Sequence, residues 1–367
     1  MSTNQNKSPK NKYFMNLALQ QAKINLGNTK ENPSVGCVIA KGNKLISAGH
    51  TGINGRPHAE FNAIKNSKEK LINSNIYVTL EPCIHFGKTP PCVRNIIKNK
   101  IKKVYFSIKD PDKRTFGKSI VEFNKYHINT NTGINSNQIG EFYKSYILYK
   151  TKKIPFVTCK LAISKDYFTI NKKKKWITNN HSRQRVHLLR SYHDVIITSE
   201  RTVSLDNPKL NCRIDGLDKK SPARIILDKN FKISLRSNVI KNSLKYKTII
   251  FYNKNDKKKI KILKKLQVKT YKIPLNFNGN FDLKKVLFKA QALGFSRIFL
   301  ESGIKLASNF LKENLVNELK IFVSNDKLKN KGEGSFKNYF KTFLKKKKQI
   351  IEKVNLYNEK LITYKIK

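Results

Sequence analysis

Pro57-His58-Ala59-Glu60 and, further on, Glu81-Pro82-Cys83 with Cys92 bring together the side-chain types of a hydrolytic metal centre. Zinc in such a centre takes three protein ligands and leaves one position for water. One imidazole and two thiols, His58, Cys83 and Cys92, can supply the three. His58 follows Pro57, which suits the first turn of a helix because the missing N–H of Pro is not needed there. Cys92 follows Thr89-Pro90-Pro91 and opens CVRNIIKNK, where free backbone N–H groups and the helix dipole favour a thiolate. Two thiolates and a neutral imidazole leave the centre formally neutral, and the ion still lowers the pKa of a bound water to roughly 7. Glu60 stands two residues past His58, about 200° around an ideal helix. That is too far for both to bind one ion, and it fits a group that moves protons between water and a leaving group.

Each residue also has a plain structural reading. A His beside a Pro is ordinarily a surface residue or a satisfied core residue, and a buried Cys is ordinarily a small hydrophobe. Cys37, Cys159 and Cys212 are read that way. For His58, Cys83 and Cys92 the joint pattern outweighs it. His85, inside the loop between the two cysteines, is read as a substrate contact or as loop packing, because three ligands are already present.

Stepping from these residues to what must hold them, a chain of 367 residues exceeds what one hydrophobic core usually fills, so two domains are expected. The mean hydropathy of −0.54 and the lack of a run of about 18 apolar residues argue against a membrane span. The opening MSTNQNKSPKNKYF has no apolar core of a signal peptide, so a cytoplasmic protein is expected. Five Cys, an odd number, fit reduced thiols or a metal site better than a disulfide framework. The net charge of +52 by itself points to a polyanion. Yet Lys is spread through every segment alongside abundant Asn and Ile, as AT-rich coding produces. The runs NKKKKW (171–176), DKKKIKILKK (256–265) and LKKKKQ (344–349) lack the interleaved aromatics of a single-strand platform. They are read as solvated faces, with no specific nucleic acid expected beyond salt-sensitive background binding.

Residues 13–26 put Phe14, Leu17, Ala18 and Ala22 on one face of a helix. SVGCVIA, the turn KGNK and LISAG read as a hairpin. HAEFNAIKNS is helical, NIYVTL a buried strand, CVRNIIKNK a helix, KKVYFSI a strand, and HINTNTG a strand before a helix near 136–150. This alternation implies a three-layer α/β domain. YKTKKIP (149–155) is the candidate linker. Beyond it FVTCKLAIS, YHDVIITS, ARIILD, KTIIFYN, VKTYKI, SRIFLES and ELKIFVS are strand candidates, with helices near 180–191, 282–293 and 304–314. The second half is therefore also α/β.

H-x-E followed by P-C-x-x-C is the pattern of zinc nucleobase deaminases. Here eight residues, not two, separate Cys83 and Cys92. The form PCxHxGxTPPC resembles the deaminase part of the bifunctional riboflavin-biosynthesis deaminase/reductases. NPSVGCVI (32–39), GRPHAE (55–60), YVTLEPCIHFGKTPPC (77–92) and DPDKRTFGKS (110–119) look like that family's blocks, in order and at family-like spacing. The resemblance implies a cytidine-deaminase-like three-layer domain over residues 1–150, Zn2+ on His58, Cys83 and Cys92, and Glu60 as the catalytic proton shuttle. In one departure, the family has a His seven residues before the zinc His. Here Thr51 occupies that place and His50 stands one residue earlier, so the contribution of that position is altered.

The resemblance extends to residues 151–367, which in the family form a dihydrofolate-reductase-like α/β domain that uses NADPH to reduce a ribosyl chain to ribityl. The matching blocks are KLAISKD (160–166), WIT (176–178), LLRSYHDVIITSERTVSLDNPKLNCR (188–213), ARIILD (223–228) and ESGIKLASNFLKENLVNEL (301–319). They imply NADPH contacts at Ala162, Trp176, Thr202, Asp206 and Lys229, and along Gly303, Ile304, Lys305, Leu306, Ala307, Ser308 and Asn309. They imply substrate contacts at Lys174, Arg190, Leu210, Arg213 and Glu301. Arg190 and Arg213 suit a ribosyl phosphate, which is met by paired or fork-shaped cations. On its own, Trp176 would be a packing anchor, and ESG before a helix a structural turn more often than a phosphate cradle. Tyr167 replaces the Gly that usually follows Asp166, and the shortened, Lys-filled loop after it shifts the alignment of Lys174 by a residue or two. SGIKL stands where the family reads GGPTL or similar. Losing Gly at a turn can forbid a positive φ, so weaker cofactor binding is expected.

The expected function is zinc-dependent hydrolytic deamination of 2,5-diamino-6-(5-phosphoribosylamino)pyrimidin-4-one, then NADPH-dependent reduction of its ribosyl chain. The expected partner is a small phosphoribosyl pyrimidine, with no membrane and a homo-oligomeric assembly. One rival is another zinc deaminase, for a free nucleoside or tRNA, which leaves the second domain unexplained. The other is a basic nucleic-acid-binding protein with a structural zinc, which needs a fourth protein ligand.

Overall fold

Phe14, Ala18 and Ala22 form the apolar stripe of a helix that runs Pro9–Ile24 (α1), with Met15 and Leu19 buried beside them and Leu17 only half-buried. The stripe lies on Gly36–Lys41 (β1) so closely that a Cβ on Gly36 would sit 1.8 Å from the carbonyl oxygen of Ala18. The structure, a computed structural model, describes residues 8–367. Residues 1–7, part of the stretch read for a leader, lie outside the described residues.

The chain divides after Lys153 into two units. In the first, β1 and Lys44–His50 (β2) form the expected antiparallel hairpin. The chain continues through Ala59–Lys65 (α2), Asn75–Leu80 (β3), Cys92–Lys98 (α3), Lys103–Ile108 (β4), Lys118–Lys125 (α4), Asn129–Thr132 (β5) and Ser136–Lys152 (α5). The sheet order is β2-β1-β3-β4-β5, with β3, β4 and β5 parallel. Helices cover the sheet as in a cytidine-deaminase-like three-layer fold. The expected linker at 149–155 is mostly helix: burial of Tyr146 and Tyr149 carries α5 to Lys152, and Lys153 ends it in the left-handed conformation at φ 56°.

The second unit holds all seven strands expected from the sequence. Its elements are Phe156–Ile163 (β6), Phe168–Asn171 (β7), Asn180–Ser191 (α6), Val195–Ser199 (β8), Glu200–Asp206 (α7), Ala223–Asp228 (β9), Asn238–Lys241 (α8), Thr248–Tyr252 (β10), Lys257–Lys265 (α9), Lys269–Lys272 (β11), Leu283–Ala292 (α10), Arg297–Glu301 (β12), Ile304–Lys312 (α11), Glu318–Val323 (β13), Gly332–Ser335 (β14), Gln349–Ile351 (β15) and Lys360–Lys365 (β16). The main sheet runs β11-β10-β9-β8-β12-β6-β13-β16-β15, parallel up to β13 and antiparallel at its last two strands. The central strands are largely apolar because both faces are covered, with Lys160 in β6 and Arg224 in β9 as charged exceptions. Val195 and Ile197 face one core with α10 and α11, while Ile196 faces a second core with Val186 and Leu189 of α6.

At Tyr167 the positive φ is kept rather than lost. Tyr167 stands at φ 72°, a strain of roughly 1–2 kcal/mol for a residue with a side chain. Its ring packs 5.0 Å from that of Phe340, and its carbonyl accepts a 2.7 Å hydrogen bond from the N–H of Phe336. Local packing thus holds the turn that Gly would otherwise provide.

His193 makes the second unit acid-sensitive. The residue is 3% exposed, Nδ1 donates to the carbonyl of Leu189 at 2.7 Å, and among the described residues Nε2 has no hydrogen-bond partner. Burial, helped by the nearby Arg297 charge, holds its pKa down at about 3. An unfolded chain takes up this proton near pH 6.5, while the folded one refuses it until about 3. Stability from this residue is therefore complete above about pH 6.5 and falls with acidification, by up to roughly 4–5 kcal/mol. In thermal melts from pH 7 to 4, His193→Gln should flatten the decline relative to the parent. Parallel declines would refute the assignment.

Candidate active sites

His58 is the N-cap of α2 and Cys92 the first residue of α3, just after Pro91. Gly49 allows α2 to close on β2, since a Cβ there would lie 2.3 Å from the N of Ala63 and 2.5 Å from the O of Ala59. Cys83 arrives from the loop after β3. His58 Nδ1 lies 3.3 Å from Cys92 Sγ and 3.5 Å from Cys83 Sγ, and the N–H of Cys92 donates to Cys83 Sγ at 3.4 Å. The three donor atoms all lie within 4.8 Å of one another. Tetrahedral zinc with N and S ligands sets such atoms about 3.5 Å apart, so the donors fit that ion in kind and in spacing. Among the described residues the cluster has three donors, the number of a hydrolytic site and one short of a structural one.

The electrostatics are those of a shared-proton cluster. The Cys83 thiol is drawn down to about 4, first by its hydrogen bond with Cys92 and then by His58, while Cys92 is pushed well up by that same bond and by burial. His58 is raised, chiefly by Cys83. A cation would displace the shared protons. Glu60, 4% exposed beside the cluster, has its pKa raised to about 7 by burial and by the Cys83 charge. Thr51 is buried, with its hydroxyl accepting from the N–H of Val35 at 2.9 Å, while half-buried His50 places Nδ1 3.3 Å from Gln21 Oε1. His85 sits with Nδ1 3.1 Å from Thr115 Oγ1. Cys37, Cys159 and Cys212 are buried thiols, as read.

In the second unit the structure joins Arg190 and Glu301 in a two-pronged ion pair, Nε to Oε2 at 2.9 Å and Nη2 to Oε1 at 2.8 Å. Burial pushes Glu301 up, but Arg190 and then Lys160 outweigh it and hold the carboxyl at about 2. Lys160 lies directly opposite Glu301 in the β6–β12 register. Its ammonium is pulled below the usual range by burial. Lys160 and His187 were missed in the sequence, although a Lys inside the apolar run FVTCKLAI is a visible signal. His187 Nδ1 accepts from the N–H of Arg213 at 3.2 Å, tying α6 to the segment that carries Arg213. Arg213 itself is exposed and donates to Asn211 Oδ1 at 2.8 Å.

Thr202 Oγ1 accepts from the N–H of Gly303 at 3.3 Å, which brings α7 and the start of α11 together. Gly303 is the N-cap of α11, with open space where a Cβ would stand and no acid in the first turn. That start, Gly303 to Leu306, suits a phosphate-bearing cofactor. Ala162 and Asn309 are half-buried, Trp176 and Asp206 exposed. Lys229 donates to the carbonyl of Gly279 at 2.9 Å. The Ala307 side chain lies in the core at 0% exposure, and Leu210, 2% exposed at φ 52°, is buried in the other core, so a contact at either position would be made by the main chain. Ser308 is also buried, at 7%. Lys174 is exposed in a turn where the N–H groups of Lys173 and Lys174 donate to Asn171 Oδ1.

Comparison with known proteins follows the same division. The chain matches the family described as the cytidine and deoxycytidylate deaminase zinc-binding region over residues 8–108, and that described as the RibD C-terminal domain over residues 155–325. It is 34% identical to the riboflavin biosynthesis protein RibD of Aquifex aeolicus over 316 residues, covering 85% of this chain and 86% of that one. The solved structure of Acinetobacter baumannii RibD superposes with a TM-score of 0.84 at 28% identity, covering 97% of this chain and 98% of that one. The diaminohydroxyphosphoribosylaminopyrimidine deaminase/5-amino-6-(5-phosphoribosylamino)uracil reductase of Thermotoga maritima does so with a TM-score of 0.83 at 28% identity and the same coverage.

Proposed function

This chain belongs to the RibD family of riboflavin-biosynthesis deaminase/reductases, and from that premise we propose that it acts on the phosphoribosylated diaminopyrimidine for which the Thermotoga protein is named. It is a bifunctional enzyme with zinc and NADPH as cofactors, and among the described residues no helix is long and apolar enough to cross a membrane.

The observation that carries the first activity is the trio His58, Cys83 and Cys92 at zinc-ligand spacing with buried Glu60 beside it. Zinc held by these residues supplies a Lewis acid that makes water nucleophilic at neutral pH. Glu60 takes a proton from the attacking water and returns it to the departing amine, so that ring C–NH2 and H2O become C=O and NH3. In the second unit Arg190 and Arg213 meet the ribosyl phosphate, and the start of α11 holds the cofactor's phosphates. NADPH supplies the hydride. Opening the sugar ring leaves an oxygen that needs a proton, and Lys160, opposite Glu301, is the donor.

The deciding assay measures ammonia from the diaminopyrimidine, with and without NADPH, and NADPH oxidation with the deaminated product. Chelation of zinc should abolish ammonia release, zinc should restore it, and NADPH oxidation with the deaminated product should not change. Loss of both activities on chelation, or of neither, would contradict the division of labour.

A further inference from the structure

We propose that Glu81 is a positioning residue of the deaminase: its carboxylate locks the 110–119 loop against the segment carrying Cys83, so that the loop stands as a preformed wall for the part of the substrate beyond the reacting carbon. The proposal rests on the deaminase reading above.

Glu81 follows the last residue of β3 and precedes Cys83 by two positions. Its N–H extends the sheet by donating to the carbonyl of Ile108 at 3.0 Å. The side chain is buried, the residue being 3% exposed, and among the described residues it forms no ion pair. A buried carboxylate needs compensation, and here it comes from a single segment. Oε2 accepts from the N–H of Asp110 at 3.1 Å and of Gly117 at 3.0 Å. Oε1 accepts from the N–H of Ser119 at 3.2 Å and from its hydroxyl at 2.7 Å. Each oxygen thus has two donors, and none of them lies within 20 positions along the chain.

Part of this is capping. Gly117, in the left-handed conformation at φ 73°, is the N-cap of α4, which has no side-chain cap of its own and no acid in its first turn. Glu81 supplies both through space. Capping alone, however, does not require the bond to Asp110, at the other end of the loop. Between those anchors Thr115 is buried, with its hydroxyl 3.1 Å from His85 Nδ1. Residues 81–85 therefore grip the loop both before and after the ligand Cys83. The Tyr146 hydroxyl adds a 2.9 Å bond to Asp110 Oδ1 from behind. Through His85, two residues past Cys83, the loop is thus held beside the segment that carries a metal ligand.

The test is Glu81→Gln in the full chain. The amide keeps the shape but turns an NH2 towards two donors, so that pair of bonds is lost. Deuterium exchange of the 110–119 amides should quicken about tenfold, and KM for the pyrimidine should rise on the order of tenfold with kcat within about threefold. Zinc content and NADPH oxidation should stay unchanged. Ser119→Ala, which removes one of the four bonds, should move exchange and KM the same way by less. Unchanged exchange and unchanged KM would overturn the proposal, and so would zinc loss in step with activity, because Glu81 would then serve the metal site and not the loop. If the parent chain released no ammonia, the deaminase reading would fail, while exchange in the loop would still decide whether Glu81 holds it.

Discussion

Glu60→Gln should lower the rate of ammonia release by on the order of 10²–10⁴, with zinc content and NADPH oxidation at the parent level. The size follows from what the residue does and from how little else the change disturbs. Glu60 lies in the first turn of α2 and is 4% exposed, so bulk water has little access to replace it as proton carrier. An amide has nearly the same shape, so the packing of α2 on β2 through Gly49 is retained. Because burial already disfavours the charged form of Glu60, with its pKa raised to about 7, the neutral amide should melt no lower than the parent. Loss of activity without loss of stability or metal is therefore the expected signature. A variant that kept half the parent rate would show that protons travel by another route, and the role given to Glu60 would be wrong.

Where the sequence was readable, chemistry and local pattern coincided. His58 and Glu60 share a turn, and Cys83 and Cys92 bracket one loop, so a few residues of spacing carried the site. The apolar runs of the second unit could be read as strands because sheets covered on both faces leave few polar positions to blur them, Lys160 and Arg224 among them. The missed elements depend on distant partners. KSIVEFNK carries no N-cap of its own, and Glu81, 38 positions before Ser119, supplies the missing hydrogen-bond acceptor for the start of α4. β15 and β16 lie in a Lys-rich tail whose Lys320–Glu352 pair, at 2.8 Å, exists only once β13 and β16 have met. Leu210 and Ala307 show the opposite limit. Aligned blocks place a residue next to a ligand but do not say whether its side chain or its main chain faces it, and burial decides that.

Glu301→Gln should be the most damaging single change in the second unit. The carboxylate is the acidic partner between Arg190 and Lys160, and its removal leaves two largely buried cations facing a neutral group. Breaking one side of a buried pair costs about 3–5 kcal/mol, so the melting point of this unit should drop visibly. Reductase kcat/KM should fall on the order of 10²–10³-fold, since Arg190 and Lys160 lose the group that orients them. The pH dependence has a definite sign. Glu301 is held at about 2, below its unfolded value, so its stabilisation is complete above roughly pH 4.3 and is lost as pH falls towards about 2. The variant should lack that part of the acid transition. Stability and catalysis can be separated with the double change Arg190→Met, Glu301→Leu, because replacing a whole buried pair by apolar groups is often neutral or stabilising. If the double variant regains the melting point but stays inactive, the pair serves the reaction. If it regains NADPH oxidation as well, the pair is only a structural brace, and the substrate contacts assigned to Arg190 and Glu301 fall together.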